Sequence, residues 1–265
     1  MRLLKKLIII GLVVGTMMGI VACSSEGASN NTKENTTLNI SAAASLQEAM
    51  VELEEKFKEI EPNVKLQVNL GSSGALQQQI EEGAPCDVFI SAGEKQMNAL
   101  EEKGLLLEGT NKTLLTNELV LVESEGTEIK DLDKLTTYDI NKIAIGEPES
   151  VPAGKYAKEV LDNTNLYDKV KDKLVLAKDV KEVLAWVQQG NADVGFVYLS
   201  DAFAAKGIKV ALTTDEDIHS AINYPIAVLK ESKNQNKAKA FEDFLLSDDG
   251  QVILENYGFK KLIKF

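Results

Sequence analysis

From Leu38 to Leu229, short apolar segments alternate with stretches whose apolar residues return every three or four positions. This alternation confines the chain to an α/β architecture, with strands covered by helices. The strands are expected at 38–42, 64–70, 88–91, 119–123, 142–146, 174–177, 194–199, 209–212 and 224–229. Val64, Leu66, Val68 and Leu70 alternate strictly, as a half-buried strand should. Leu46, Met50, Leu53, Phe57 and Ile60 mark one face of a helix that must stop before Pro62. Val180, Val183, Leu184 and Val187 repeat the pattern up to Gly190, and Ala238, Phe241, Phe244 and Leu245 do so near the end. In folds of this kind ligands bind where strand ends meet helix starts.

The residues at those junctions are small or hydroxyl-bearing. Ser45-Leu46-Gln47-Glu48 fits a capping box, with Ser45 as N-cap and Glu48 as its reciprocal partner. It can be a plain helix start, or, because Ala42, Ala43 and Ala44 leave the strand end almost bare, an opening through which a ligand reaches free N–H groups. Gly71-Ser72-Ser73-Gly74 follows the next strand and opens the helix of Leu76 and Ile80. Backbone N–H groups at such a start, aided by the helix dipole, can hold an anion. Pro152 suits the first turn of a third helix, leaving Ala153 and Gly154 to aim N–H groups outward. Asp179-Val180-Lys181-Glu182 is a second capping-box pattern, and the strand that ends in Tyr198 runs into Ser200-Asp201, a further cap.

The N-terminus reads as an export signal. Arg2, Lys5 and Lys6 precede an apolar run from Leu7 to Ala22, which is short for a membrane span and ends at Cys23. Residues 1–22 are therefore expected to be a lipoprotein signal peptide, with Cys23 lipidated. Residues 23–36 are expected to be a disordered tether, too polar to bury a core. The mature chain is thus anchored by lipid on the extracytoplasmic face of the membrane. Removing residues 1–22 takes away three basic side chains and no acidic one, so the formal charge moves from −12 to −15. Nucleic acid is excluded as a partner by that charge. Arg2 is the only arginine in the sequence, so the mature chain has none with which to grip an anion. Any anion is then held by neutral donors, or by a lysine such as Lys155, which reads as solvent-facing. Besides Cys23 the chain has only Cys86, read as filling a small core position, so no disulfide is needed.

The segments AAASL, GSSGALQQQIEEGAP followed by FIS, IAIGEPESVPAGKYAKEVL, the helix opened by Asp179-Val180 and the pair Val197-Tyr198 before Asp201-Ala202 occur in one order. Over residues 38–259 they resemble the periplasmic molybdate-binding proteins of ABC importers. Any one of these segments is weak alone; the ordered set is specific. The resemblance implies a two-lobed periplasmic-binding-protein fold of the type II kind, each lobe a mixed sheet flanked by helices, with the ligand in the cleft. It places 37–116 plus 225–265 in lobe one and 117–224 in lobe two. It implies that molybdate, and tungstate with it, is bound by Ser45, Ser73, Ala153, Val180 and Tyr198, through hydroxyls and backbone N–H groups. Two departures are Cys86, where alanine is more familiar, and Gly74, which leaves out one possible hydroxyl. A membrane permease is the implied partner, the receptor is a monomer, and no cofactor or directly bound metal cation is implied.

Two other readings compete. Sulfate is a tetrahedral dianion that the same donors would suit, so selection falls to cavity radius. A serine hydrolase would need the single histidine, His219, to fold over Ser45 or Ser73, and GSSG lacks the nucleophile-elbow spacing. One histidine also makes no metal-binding cluster.

Overall fold

The computed structural model describes residues 35–262 except Glu125 and Ala204. The expectations for the signal peptide, for Cys23 and for most of the tether lie outside the described residues. The tether was placed through residue 36, yet Thr36 already begins the first strand, because its N–H donates to Asn63 O at 2.8 Å.

The first part of the chain forms β1 (Thr36–Ala43), α1 (Gln47–Ile60), β2 (Val64–Gly71), α2 (Ser73–Glu81), β3 (Val88–Ile90), α3 (Glu94–Glu102) and β4 (Lys112–Thr116). It then passes into β5 (Leu119–Ser124), β6 (Ile143–Gly146), α4 (Pro152–Asn163), α5 (Tyr167–Val170), β7 (Leu174–Ala177), α6 (Val180–Gln188), β8 (Val194–Tyr198), α7 (Leu199–Phe203) and β9 (Ile208–Thr213). It returns as β10 (Asn223–Val228), α8 (Gln235–Leu246) and α9 (Asp248–Asn256).

Two five-stranded mixed sheets result, ordered β2-β1-β3-β10-β4 and β7-β6-β8-β5-β9. In each, three strands run parallel and a strand arriving from the other sheet is inserted antiparallel, β10 in the first and β5 in the second. The fold is therefore two-lobed, and the chain crosses between lobes twice, over 117–118 and over 214–222. β10 joins the first sheet from Asn223, two residues ahead of the division expected at 225.

Burial explains the arrangement. Leu38, Ile40 and Ala42 of β1 are sealed, and every residue of β8 is buried, as a central strand covered on both faces must be. A Cβ added at Gly195 in β8 would lie 2.8 Å from Val183 and 2.9 Å from Val187, so α6 packs directly on the strand. Met50, Leu53 and Phe57 of α1 are buried as their spacing predicts, and Phe57 meets Phe241 edge-on at 5.0 Å between ring centroids. Ile60 is the exception: it ends the helix and points outward, 54% exposed. Strict alternation in β2 also fades toward Leu70, and β2 lies at the sheet edge. The reading of the sequence missed β4, a short strand with polar Lys112 and Thr113 at its start, paired with β10 and bridged at Thr116 to Lys260. No helix among the described residues is long and apolar enough to cross a membrane.

Candidate oxyanion-binding site

The carboxyl ends of β1, β2, β6, β7 and β8 converge, and the starts of α2, α4 and α6 meet them there. A small cavity between them is lined by Ser45, Ser73, Ala153, Val180 and Tyr198, the five residues singled out in the sequence. Ala43, Ala44, Gly71, Ser72, Ala92, Val151, Pro152 and Asp179 complete its wall. Most of these are small, so main-chain groups face the space with little side chain in front of them.

Each helix start is built by a different local device. Ser72, not Ser73, caps α2, its Oγ accepting from Ala75 N at 3.3 Å, which leaves Ser73 free for other duty. Pro152 stands in the first turn of α4, and Asp179 Oδ1 caps α6 by accepting from Glu182 N at 2.9 Å. The N–H groups of Ser73, Ala153 and Val180 have no backbone partner among the described residues, so three helix starts present donors to one place.

The capping-box reading of Ser45 does not hold. Residues Ala44–Leu46 form a 3-10 turn, α1 begins only at Gln47, and its N-cap makes no side-chain hydrogen bond. Ser45 Oγ instead meets Tyr224 Oη at 2.8 Å, while Glu48 reaches Lys181 Nζ at 2.6 Å. The physical reason is competition: a buried hydroxyl with a phenol beside it and a carboxylate with an ammonium in reach have stronger partners than orphan helix N–H groups. Ser73 Oγ accepts from Ala92 N at 2.9 Å, and the Tyr198 hydroxyl donates to Ala92 O at 3.3 Å. Burial, then the neighbouring Tyr224, pushes the Tyr198 phenol well above its ordinary pKa, so it remains a donor at any physiological pH. Across the cleft Gly74 N donates to Ser150 O at 2.9 Å.

The cation adjoining the cavity in sequence is engaged elsewhere. Lys181, one residue beyond Val180, lies between Glu48 of the first lobe and Asp201 of the second, at 2.6 and 2.8 Å. Burial works to lower the Lys181 pKa, but the two carboxylates outweigh it and hold the ammonium above its usual range. Asp201 is fully buried, and burial pushes its carboxyl up despite Lys181. Lys155 stays out of the cavity, as its sequence context suggests, paired with Glu159 at 3.0 Å.

Cys86 packs against the apolar cluster that holds Leu76, Ile80 and Leu106, as expected of a small core position, although it is only half-buried, on the rim of a larger cavity of about 530 Å³ at the far end of β3. Burial pushes its thiol up to about 11, so it is no thiolate. Asp87 in that cavity is already satisfied, accepting from Asn39 N and Nδ2 and from Ser232 Oγ. His219 sits 6.1 Å from the Tyr156 ring with Nδ1 on Ser220 O and does not line the small cavity. Among the described residues no group of His, Cys, Asp and Glu is arranged to hold a metal ion.

Two residues around the site and one pairing escaped the reading of the sequence. Asn117 on the first crossover and Tyr224 in β10 have no motif about them, and Glu48 and Lys181 are too far apart in sequence for spacing to reveal that they meet.

The family described as bacterial extracellular solute-binding protein matches residues 38–260. A putative ABC transporter substrate-binding lipoprotein of Bacillus subtilis, YvgL, is 40% identical over 240 residues, 91% of this chain and 92% of that protein. The molybdate-binding protein ModA of Escherichia coli is 40% identical over 238 residues, 88% of this chain and 92% of that one. The solved substrate-binding domain of a putative molybdenum ABC transporter from Clostridium difficile is 61% identical, with a TM-score of 0.68, and the match covers 86% of this chain and 99% of that domain.

Proposed function

The chain belongs to the bacterial extracellular solute-binding protein family, and on that premise we propose that it is the receptor that captures molybdate for an ABC importer. The observation that carries this reading is a small cavity whose polar lining is hydroxyls and helix-start N–H groups, with Asp179 already spent on its cap and the nearby lysines paired elsewhere. A tetrahedral oxyanion without protons needs only donors, and each such hydrogen bond is strengthened by the ligand's charge. Ser45 and Ser73 would contribute from the first lobe, and Ala153, Val180 and Tyr198 from the second, Tyr198 by turning its hydroxyl hydrogen from Ala92 O, which it meets at 3.3 Å, to the ligand. Ligand bridging the two would hold the lobes closed, a hinge motion about the two crossovers. The lobes would be 37–116 with 225–265, and 117–224, and the closed form is the one a permease would receive. The name of the relative from Bacillus subtilis supports a lipid anchor, which we place on Cys23. Tungstate, of like charge and shape, would share the site.

The test is calorimetric titration of the soluble chain, started at Ser24, with molybdate, tungstate, sulfate and phosphate. Molybdate and tungstate are expected to bind with similar affinity and sulfate far more weakly. Tight sulfate binding with no molybdate signal would replace the reading by a sulfate receptor, and turnover of an ester substrate dependent on Ser45 or Ser73 would replace it by a hydrolase.

A further inference from the structure

Ser45 is the one hydroxyl of the cavity whose role as donor is not fixed by its own backbone surroundings. A serine oxygen can give one hydrogen and accept two, and a deprotonated oxyanion can only accept. Ser73 is settled locally: its oxygen accepts the Ala92 N–H, so its hydrogen is left for the cavity. Around Ser45 the same outcome depends on two side chains, Tyr224 of β10 and Asn117 of the first crossover.

The chain begins at Asn117, buried on the first crossover. Its Oδ1 accepts from Glu118 N at 2.9 Å, which fixes the amide so that Nδ2 is the end turned inward. Nδ2 donates to Ser200 Oγ at 2.8 Å and to Tyr224 Oη at 3.3 Å. Tyr224 stands in β10, just after the second crossover, fully buried, with its ring edge-on to Tyr198 and to Phe259. An amide N–H can only donate, so the phenol oxygen accepts from Asn117 and must place its own hydrogen elsewhere. Two hydroxyl oxygens adjoin it, those of Ser45 and Tyr198, and Ser45 Oγ, at 2.8 Å, is the one that meets hydrogen-bond geometry. A buried hydroxyl hydrogen without an acceptor is costly, which favours that direction strongly. Ser45, having accepted from Tyr224, turns its own hydrogen into the cavity that it lines.

We propose that Asn117 and Tyr224 are positioning residues that orient the Ser45 hydroxyl as a donor toward the bound oxyanion. The proposal rests on the molybdate-receptor reading above. It adds a source of selectivity: a site held to donors alone suits a bare dianion, whereas a hydrogen-bearing oxyanion such as hydrogen phosphate finds no acceptor for its hydrogen.

A double-mutant cycle on the full chain tests this, with Tyr224→Phe combined in turn with Ser45→Ala and with Ser73→Ala, each titrated with molybdate beside apo melting. Phenylalanine keeps the ring stacking and removes only the hydroxyl. Tyr224→Phe is expected to weaken molybdate binding about three- to tenfold in the wild-type and Ser73→Ala backgrounds, the range of one net hydrogen bond. In the Ser45→Ala background the loss is expected to shrink below about twofold. An equal loss in the Ser45→Ala background, or none in the wild type, overturns the relay alone. Wild-type protein that takes up no molybdate overturns the receptor reading and the relay with it.

Discussion

Replacing Lys181 by methionine keeps the aliphatic stem and removes the charge, and the residue most exposed to the consequence is Asp201. Its side chain is 0% exposed, Oδ1 has no hydrogen-bond partner besides the ammonium at 2.8 Å, and Oδ2 accepts only Tyr198 N at 3.3 Å. Leaving a buried carboxylate without its cation costs about 3–5 kcal/mol. The loss has a ceiling, because Asp201 can take a proton instead. From a reference pKa of about 3.9 that costs about 1.4 kcal/mol per pH unit, so the ceiling is about 5 kcal/mol at pH 7.5 and about 1.5 kcal/mol at pH 5. The sign follows from the direction of the shift: burial raises Asp201, so its contribution is most favourable at low pH and is lost as pH rises through its folded value, more so without Lys181. Thermal unfolding of the apo chain at both pH values is the assay. At pH 7.5 the melting point is expected to fall by roughly 10 °C, at about 2–4 °C per kcal/mol for a chain of this size. At pH 5 most of that is expected to return, and adding Asp201→Asn should restore it at pH 7.5. Equal losses at the two pH values, or no rescue by Asp201→Asn, would refute the reasoning. Glu48→Gln, by contrast, removes a partner 41% exposed and is expected to cost under about 1 kcal/mol.

Other expectations follow from the cleft. A Cβ at Gly74 would lie 2.5 Å from Ser150 O and 2.7 Å from Ser150 Cα, so Gly74→Ala should hold the lobes apart and weaken molybdate binding about tenfold, while apo melting stays level or rises because alanine favours a helix by about 1 kcal/mol; unchanged affinity by calorimetry would count against closure at this contact. Molybdate affinity should be nearly flat from about pH 6 to 9, since burial keeps Tyr198 protonated, and Lys155→Ala should change it little because that ammonium is held by Glu159; a steep change across that window, or a collapse in Lys155→Ala, would refute a site of neutral donors. Cys23→Ser should leave an unprocessed precursor in the membrane fraction, and mass spectrometry finding an unmodified Cys23 in wild-type protein would refute the anchor.

Strand and helix positions were legible wherever period and burial agree, as in β8 and in the Val180 to Val187 face of α6. They were not legible for β4, whose polar first residues carry no alternation. The five cavity residues were found because strand ends and helix starts are local features. What surrounds them was not, since Ser45 and Tyr224 are 179 positions apart and a serine followed by Leu-Gln-Glu looks the same whether its hydroxyl caps a helix or meets a phenol. Spacing identifies a possible partner within one turn and says nothing of a stronger one brought by the fold.

The double crossing of the chain has a consequence for the order in which the molecule can be made. All five strands of the second sheet lie between Leu119 and Thr213, so that lobe is a self-contained insertion whose register can be completed as soon as it emerges. The first sheet cannot: β3 and β4 are joined only through β10, which lies more than a hundred residues downstream of either. Until Asn223 to Val228 arrives, two strand edges of the earlier lobe stand open, the condition under which unfinished chains pair with one another. The last strand is thus both half of the hinge and the closing step of assembly, so a polypeptide halted shortly before it would keep the inserted lobe and forfeit the outer one.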